Sequence, residues 1–113
     1  MSKTYEMNLQ DIPFQLLKSG KKDVEMRINK NNRDKIKTDD FIVFTNQKNG
    51  EKLTVKVISV SKFETFDELY AFYPKERLGY ESSEIADPDD MLIYYKIEEI
   101  KKCGVLGIEV KIV

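Results

Sequence analysis

From Asp23 to Asn29 the chain keeps a strict alternation: Val24, Met26 and Ile28 are apolar, and Glu25, Arg27 and Asn29 are polar. A period of two marks a strand. It places the apolar trio on a buried face and Glu25 with Arg27 on the other. Gly20 supplies a turn just upstream, and Lys22 stands at the strand's entry. The chain has no histidine, so these charged groups must carry most of any polar chemistry. Arg27 offers a rigid fork of donors suited to phosphate or a planar acceptor. Glu25 can orient that fork or accept from a ligand amine, and Lys22 adds a point charge. The plainer alternative is a solvated Glu–Arg pair on an exposed face, worth less than about 1 kcal/mol.

At 113 residues the chain is expected to form one domain, 1–113, with a core that needs no staple. Its 41% hydrophobic and 35% charged residues suit a small globular protein. The single cysteine, Cys103, excludes an intramolecular disulfide and reads as a packing residue. With no histidine and one cysteine, no metal and no other cofactor is expected. Met1 to Gln10 lacks the apolar core of a targeting segment, and no apolar run is long enough to span a bilayer. The expectation is a cytoplasmic protein without a membrane partner.

The net charge of −1 hides an asymmetry. Residues 18–37 carry eight Lys/Arg and three Asp/Glu, a balance of +5, and residues 76–99 carry two against eight, a balance of −6. A local basic region can attract phosphate although the whole chain is near neutral. Alternatively, the two segments attract each other.

Tyr5–Leu9 reads as a first strand. Asp11 is a candidate cap for a helix that Gly20 ends, with Phe14 and Leu17 on its apolar stripe. A helical turn is expected at Arg33–Ile36. Phe41–Thr45 and Leu53–Phe63 are the strongest strands, joined by a loop whose Asn49-Gly50 signals a hairpin. In the longer strand Leu53, Val55, Val57 and Ser59 should face one way, and Thr54, Lys56, Ile58 and Val60 the other. Thr65 and Glu68 have capping-box spacing and open a helix to about Tyr73. Asp87-Pro88 begins another helical stretch, and Val105–Val113 is the last strand. About five strands with short helices at their connections fit a small mixed α+β barrel.

The spacing Gly20-x-Lys22-x-x-Glu25-x-Arg27 resembles the signature of the ASCH domain, a branch of the PUA-like superfamily, in its small single-domain bacterial type. The flanks resemble it too: Met7-x-Leu9, Pro13-Phe14, Leu16 to Gly20, Arg33 to Ile36, Asp40-x-Ile42-x-Phe44, Phe63 with Phe66 to Leu69, and Gly104 to Val110. The likeness covers nearly the whole chain. One departure is Asp39-Asp40, where the family usually has Gly-Asp. Asp tolerates positive φ better than most residues, so the turn can survive.

The resemblance implies a PUA-like mixed β-barrel of five to six strands, with helices bordering a cleft floored by the motif strand. It implies RNA, or a modified nucleoside or nucleotide, as partner. Lys22, Glu25, Arg27 and Arg33 would hold the ligand, and Tyr80 would stack on a base. The segment Tyr73–Ile85, with Lys75, Arg77, Tyr80 and Glu81, would form a wall. The alternative is an amidohydrolase acting on N4-acetylcytidine or a similar nucleoside. Family members of that kind use a lysine, a threonine and a glutamate. Lys22 matches the lysine, Glu25 replaces the threonine, and Glu76 and Glu81 are candidates for the glutamate. If the chain is an enzyme, Lys22 and Glu25 are its catalytic candidates, although an ionised glutamate supplies neither a hydroxyl nucleophile nor an oxyanion donor.

Overall fold

The computed structural model describes residues 2–31 and 33–113. Strands β1 (Thr4–Leu9), β2 (Val24–Ile28), β3 (Phe41–Asn46), β4 (Lys52–Phe63) and β5 (Val105–Ile112) form one sheet in the order β1-β3-β4-β5-β2. β1 and β3 run parallel and the other pairs are antiparallel. The sheet curls into a half-barrel in which β1 and β2 are the two edges and do not pair with each other. Helix α1 (Asp11–Lys18) joins β1 to β2. Between β4 and β5 lie α2 (Phe66–Phe72), two 3-10 segments (Lys75–Leu78 and Pro88–Ile93) and α3 (Ile97–Cys103). None of the described helices is long and apolar enough to cross a membrane.

Two apolar clusters hold these layers. Phe14 and Leu17 of α1 pack with Ile42, Phe44, Val55, Val57, Leu106 and Ile108 on the concave side of the sheet. Val24, Met26 and Val105 pack outward against Phe66, Leu69, Leu78, Met91 and Ile100. β2 and most of β5 are therefore buried on both faces. This corrects the expectation of an exposed face for Glu25 and Arg27. The helical layer covers one side of the edge strand, and the half-barrel's interior takes the other.

Local sequence signals explain most boundaries. The Thr65 hydroxyl accepts from the Glu68 N–H at 3.3 Å, and the Asp87 carboxylate accepts from the Asp89 N–H at 2.9 Å. Asp39 adopts φ +75°, the left-handed region that glycine favours and Asp tolerates better than most residues. Asp40 behind it accepts from the Lys3 and Lys37 N–H groups, and these bonds hold its carboxyl below the usual range. Asp11 is not the cap of α1: that place falls to Gln10, and the Asp11 carboxylate instead accepts from Asn46 Nδ2 at 2.9 Å.

β4 departs from simple alternation. Its register against β5 shifts between Val57 and Ser59, so one extra residue reverses the side on which later side chains fall. Ile58 is left exposed, Ser59 bonds Glu109 at 3.0 Å, and Val60 turns toward the concave core. That corrects the assignment of Val60 to the outward set.

Gly107 shows how closely the outer layer approaches. A Cβ there would lie 2.6 Å from the Tyr73 ring. Gly107→Ala is expected to cost about 1–3 kcal/mol by overpacking. Urea denaturation measures this, and Tyr73→Leu in the same chain should recover part of the loss. Equal stability of Gly107→Ala and the parent would contradict the contact.

Candidate functional site

The chain leaves α1, reverses at Gly20 (φ +81°) and pins Lys22 by a bond from its N–H to the Leu16 carbonyl, 3.1 Å. Lys22 Nζ then lies 3.2 Å from Glu25 Oε1, and Arg27 Nε lies 2.7 Å from Glu25 Oε2. The same guanidinium donates from Nη2 to the Asn8 carbonyl of β1 at 2.7 Å, spanning the gap between the sheet's edges. Lys22, Glu25 and Arg27 are 7%, 2% and 9% exposed. The motif is thus a buried ion cluster, not a solvated pair. Burial disfavours the Glu25 carboxylate, but Lys22 and Arg27 outweigh it and hold the carboxyl below its ordinary pKa.

The cluster faces a cavity of about 590 Å³ at the open seam between β1 and β2. Two cations around one carboxylate leave an excess positive charge at its floor. Arg33 adds another. It reaches the cavity from the 3-10 turn Arg33–Lys35 and donates to the Ile28 carbonyl at 3.2 Å, with no carboxylate partner among the described residues. Burial, and then the like charge of Arg27, lower its pKa.

The far wall comes partly from the expected segment and partly from beyond it. Leu78, Gly79, Tyr80 and Glu84 line the cavity, whereas Glu76, Glu81, Lys75 and Arg77 do not. Arg77 instead pairs with Asp23 at 2.9 Å and with Glu109 at 2.8 Å. The Lys75 ammonium caps the carbonyls of Ser82 and Glu84. The acids on the wall are Glu84 and Asp90, not the two candidates singled out from the sequence. Tyr80 is present, but its hydroxyl is held by Asp90 at 2.7 Å and Tyr70 at 2.9 Å. Burial, followed by those two bonds, raises its pKa. Tyr94 and Tyr95 also line the cavity, and Tyr94 is 43% exposed. Sequence reasoning missed both. Their signal was an aromatic pair next to an acidic cluster, in an irregular segment without periodicity. Ile12 and Ile93, at 74% and 79% exposure, give the cavity an apolar rim.

The basic and acidic segments do meet in places. Lys30 pairs with Glu99 at 2.8 Å, and Arg77 of the acidic segment pairs with Asp23 of the basic one. Lys22, Arg27 and Arg33 remain directed at the cavity.

The model of the ASCH domain matches residues 7–111. The chain belongs to the ASCH family. No curated protein matches it. Among solved structures it is similar to the hypothetical protein PH0355, with 29% identity, a TM-score of 0.81, and coverage of 97% of this chain and 99% of that one. It is also similar to protein PF0455 from Pyrococcus furiosus, with 30% identity, a TM-score of 0.74 and 97% of each chain covered. That archaeal likeness extends the small single-domain type beyond bacteria. An ASCH protein from Zymomonas mobilis shares the fold at 12% identity and a TM-score of 0.68, covering 96% of this chain and 66% of that one. ASCH domains have a PUA-like fold associated with RNA binding or hydrolysis.

Glu25→Gln should lower stability at neutral pH by about 3–5 kcal/mol, because it strands two buried cations. Because the Glu25 pKa is depressed on folding, its contribution is present above the unfolded-state value and is lost as pH falls through the folded one. Urea denaturation from neutral to acid pH should show a shallower decline in the variant than in the parent.

Proposed function

We propose that this ASCH domain binds one unstacked nucleotide of a single-stranded RNA, or the corresponding free nucleotide, in the seam cavity. The observation that carries this reading is a buried, net-positive Lys22–Glu25–Arg27 cluster in a cavity that a half-exposed aromatic, Tyr94, also lines. Arg33, with donors to spare, suits a phosphate. Tyr94 suits a base, since base–aromatic stacking contributes about 1–3 kcal/mol. Tyr80 is less suited to stacking, because its hydroxyl bonds fix it edge-on to Tyr70, with ring centroids 5.9 Å apart. The volume lies in the usual range for small-molecule sites. Recognition of a single nucleotide requires no broad basic face, in keeping with the near-neutral chain.

Amide hydrolysis is the second reading, favoured by one observation: Glu84 and Asp90 supply further carboxylates to the cavity that Lys22 lines. Against it, Glu25 is committed to two cations and provides no hydroxyl where related enzymes use threonine. Incubation with N4-acetylcytidine discriminates the two. Binding alone predicts no cytidine release; release that Lys22→Ala abolishes would establish the hydrolase.

For the binding reading, a short single-stranded RNA should lose affinity by about 1–3 kcal/mol on Tyr94→Ala. Arg33→Ala should reduce the slope of log affinity against log salt by about 0.7, the loss of one phosphate contact. Fluorescence anisotropy across a salt series measures both. Unchanged affinity and slope in folded variants would remove these residues from the site.

A further inference from the structure

The cavity touches Glu25, Met26 and Arg27 in succession. Side chains alternate along a strand, so a cavity over one face would meet every second residue. One that meets three in a row takes in both faces and so passes around the strand's free edge, which carries the outward backbone groups. The hydrogen bonds show which backbone groups lie there. The Val110 N–H donates to the Asp23 carbonyl, and the Asn29 N–H donates to the Gly104 carbonyl, each at 2.9 Å. The β2–β5 register between these points runs unbroken from Val24–Glu109 to Ile28–Val105. Glu25 and Arg27 therefore direct their N–H and C=O groups toward β5, and Val24, Met26 and Ile28 direct theirs to the free side. The Ile28 carbonyl is taken by Arg33 on that side, as this parity requires. Val24 is fully buried and does not reach the cavity. Met26 does, and neither its N–H nor its C=O has a hydrogen-bond partner among the described residues.

We propose that the Met26 backbone reads the bound base, its N–H donating to and its C=O accepting from adjacent groups on the base's Watson–Crick edge. This deepens the nucleotide reading above and rests on it. A strand residue presents its donor and acceptor side by side, and a pyrimidine edge carries a matching acceptor and donor on neighbouring atoms. Strand addition by a peptide uses the same groups but needs alternate residues along the edge. Here the Arg27 guanidinium crosses to Asn8 and Arg33 covers Ile28, which leaves one residue's groups open. A single planar ring fits that opening; an extended chain does not. Selectivity follows. Methylation at the edge nitrogen that donates should block binding, and changes on the opposite side of the ring should not.

The test uses ¹⁵N-labelled protein titrated with the four nucleoside 5′-monophosphates and with N3-methyluridine 5′-monophosphate. The expected result is saturable shifts at Lys22 and Tyr94 together with slowed hydrogen exchange of the Met26 amide. Among the uridine ligands, only unmethylated uridine monophosphate should slow it. Met26→Pro removes the N–H from a position that does not serve the β2–β5 ladder, where an edge strand tolerates proline. It should weaken binding by at least about tenfold, the loss of one buried hydrogen bond, and Met26→Leu should not. Saturable binding with an unprotected Met26 amide would overturn this inference and leave the nucleotide reading standing. Absence of shifts with every monophosphate would overturn both. If the proline variant does not fold, amide exchange in the parent protein decides alone.

Discussion

Three charges out of water, two cations each within hydrogen-bonding reach of one carboxylate, are the constraint around which this molecule is arranged. Glu25 is ionised inside the protein only because Lys22 and Arg27 reach it from two directions. Such a cluster is costly to desolvate and more costly to break, since removing the carboxylate strands both cations and removing either cation leaves the carboxylate half-compensated. It also fixes relative positions. Lys22 comes from the turn after α1, Glu25 and Arg27 from β2, and the Asn8 carbonyl from β1. A polar network satisfied across three elements specifies their alignment more sharply than apolar packing does.

The same cluster explains why charge and burial coexist at the cavity. The sheet curls but stops short of closure, and Arg27 bridges the remaining gap with a side chain instead of a ladder of backbone bonds. One carboxylate cannot cancel two cations and a nearby third. The floor therefore keeps a positive field in a region of low dielectric, where an anion is felt more strongly than at an open surface. The rest of the lining comes largely from two 3-10 turns and the irregular backbone beside them, which bring Tyr80, Glu84, Asp90 and Tyr94 to the cavity without the regular spacing of a helix.

Much of this was legible in the chain. The alternation at Val24 to Ile28, the Thr65 cap and the Asp87-Pro88 start each have a local physical cause and were found where expected. The motif spacing placed Lys22, Glu25 and Arg27 together. What could not be read were consequences of tertiary placement. Alternation marks two faces but does not say that a helical layer covers one and the barrel interior the other. The bulge at Ile58 leaves no trace in residue type. Glu84, Asp90 and Tyr94 reach the cavity, whereas Glu76 and Glu81, the acids singled out within the expected Tyr73–Ile85 wall, do not line it. Asp11 answers to Asn46, thirty-five residues away, as well as to Gln15 of its own helix, and does not cap that helix.

An unpaired strand edge invites association with other chains, and proteins usually blunt it with charge, proline or a covering loop. Here both edges of the sheet turn toward each other across the gap that Arg27 bridges to the Asn8 carbonyl. A self-association hazard is thereby folded inward. Closing the barrel with more backbone pairing would remove that hazard equally well, but would leave no opening. The seam that stays unpaired is the same seam that holds the pocket.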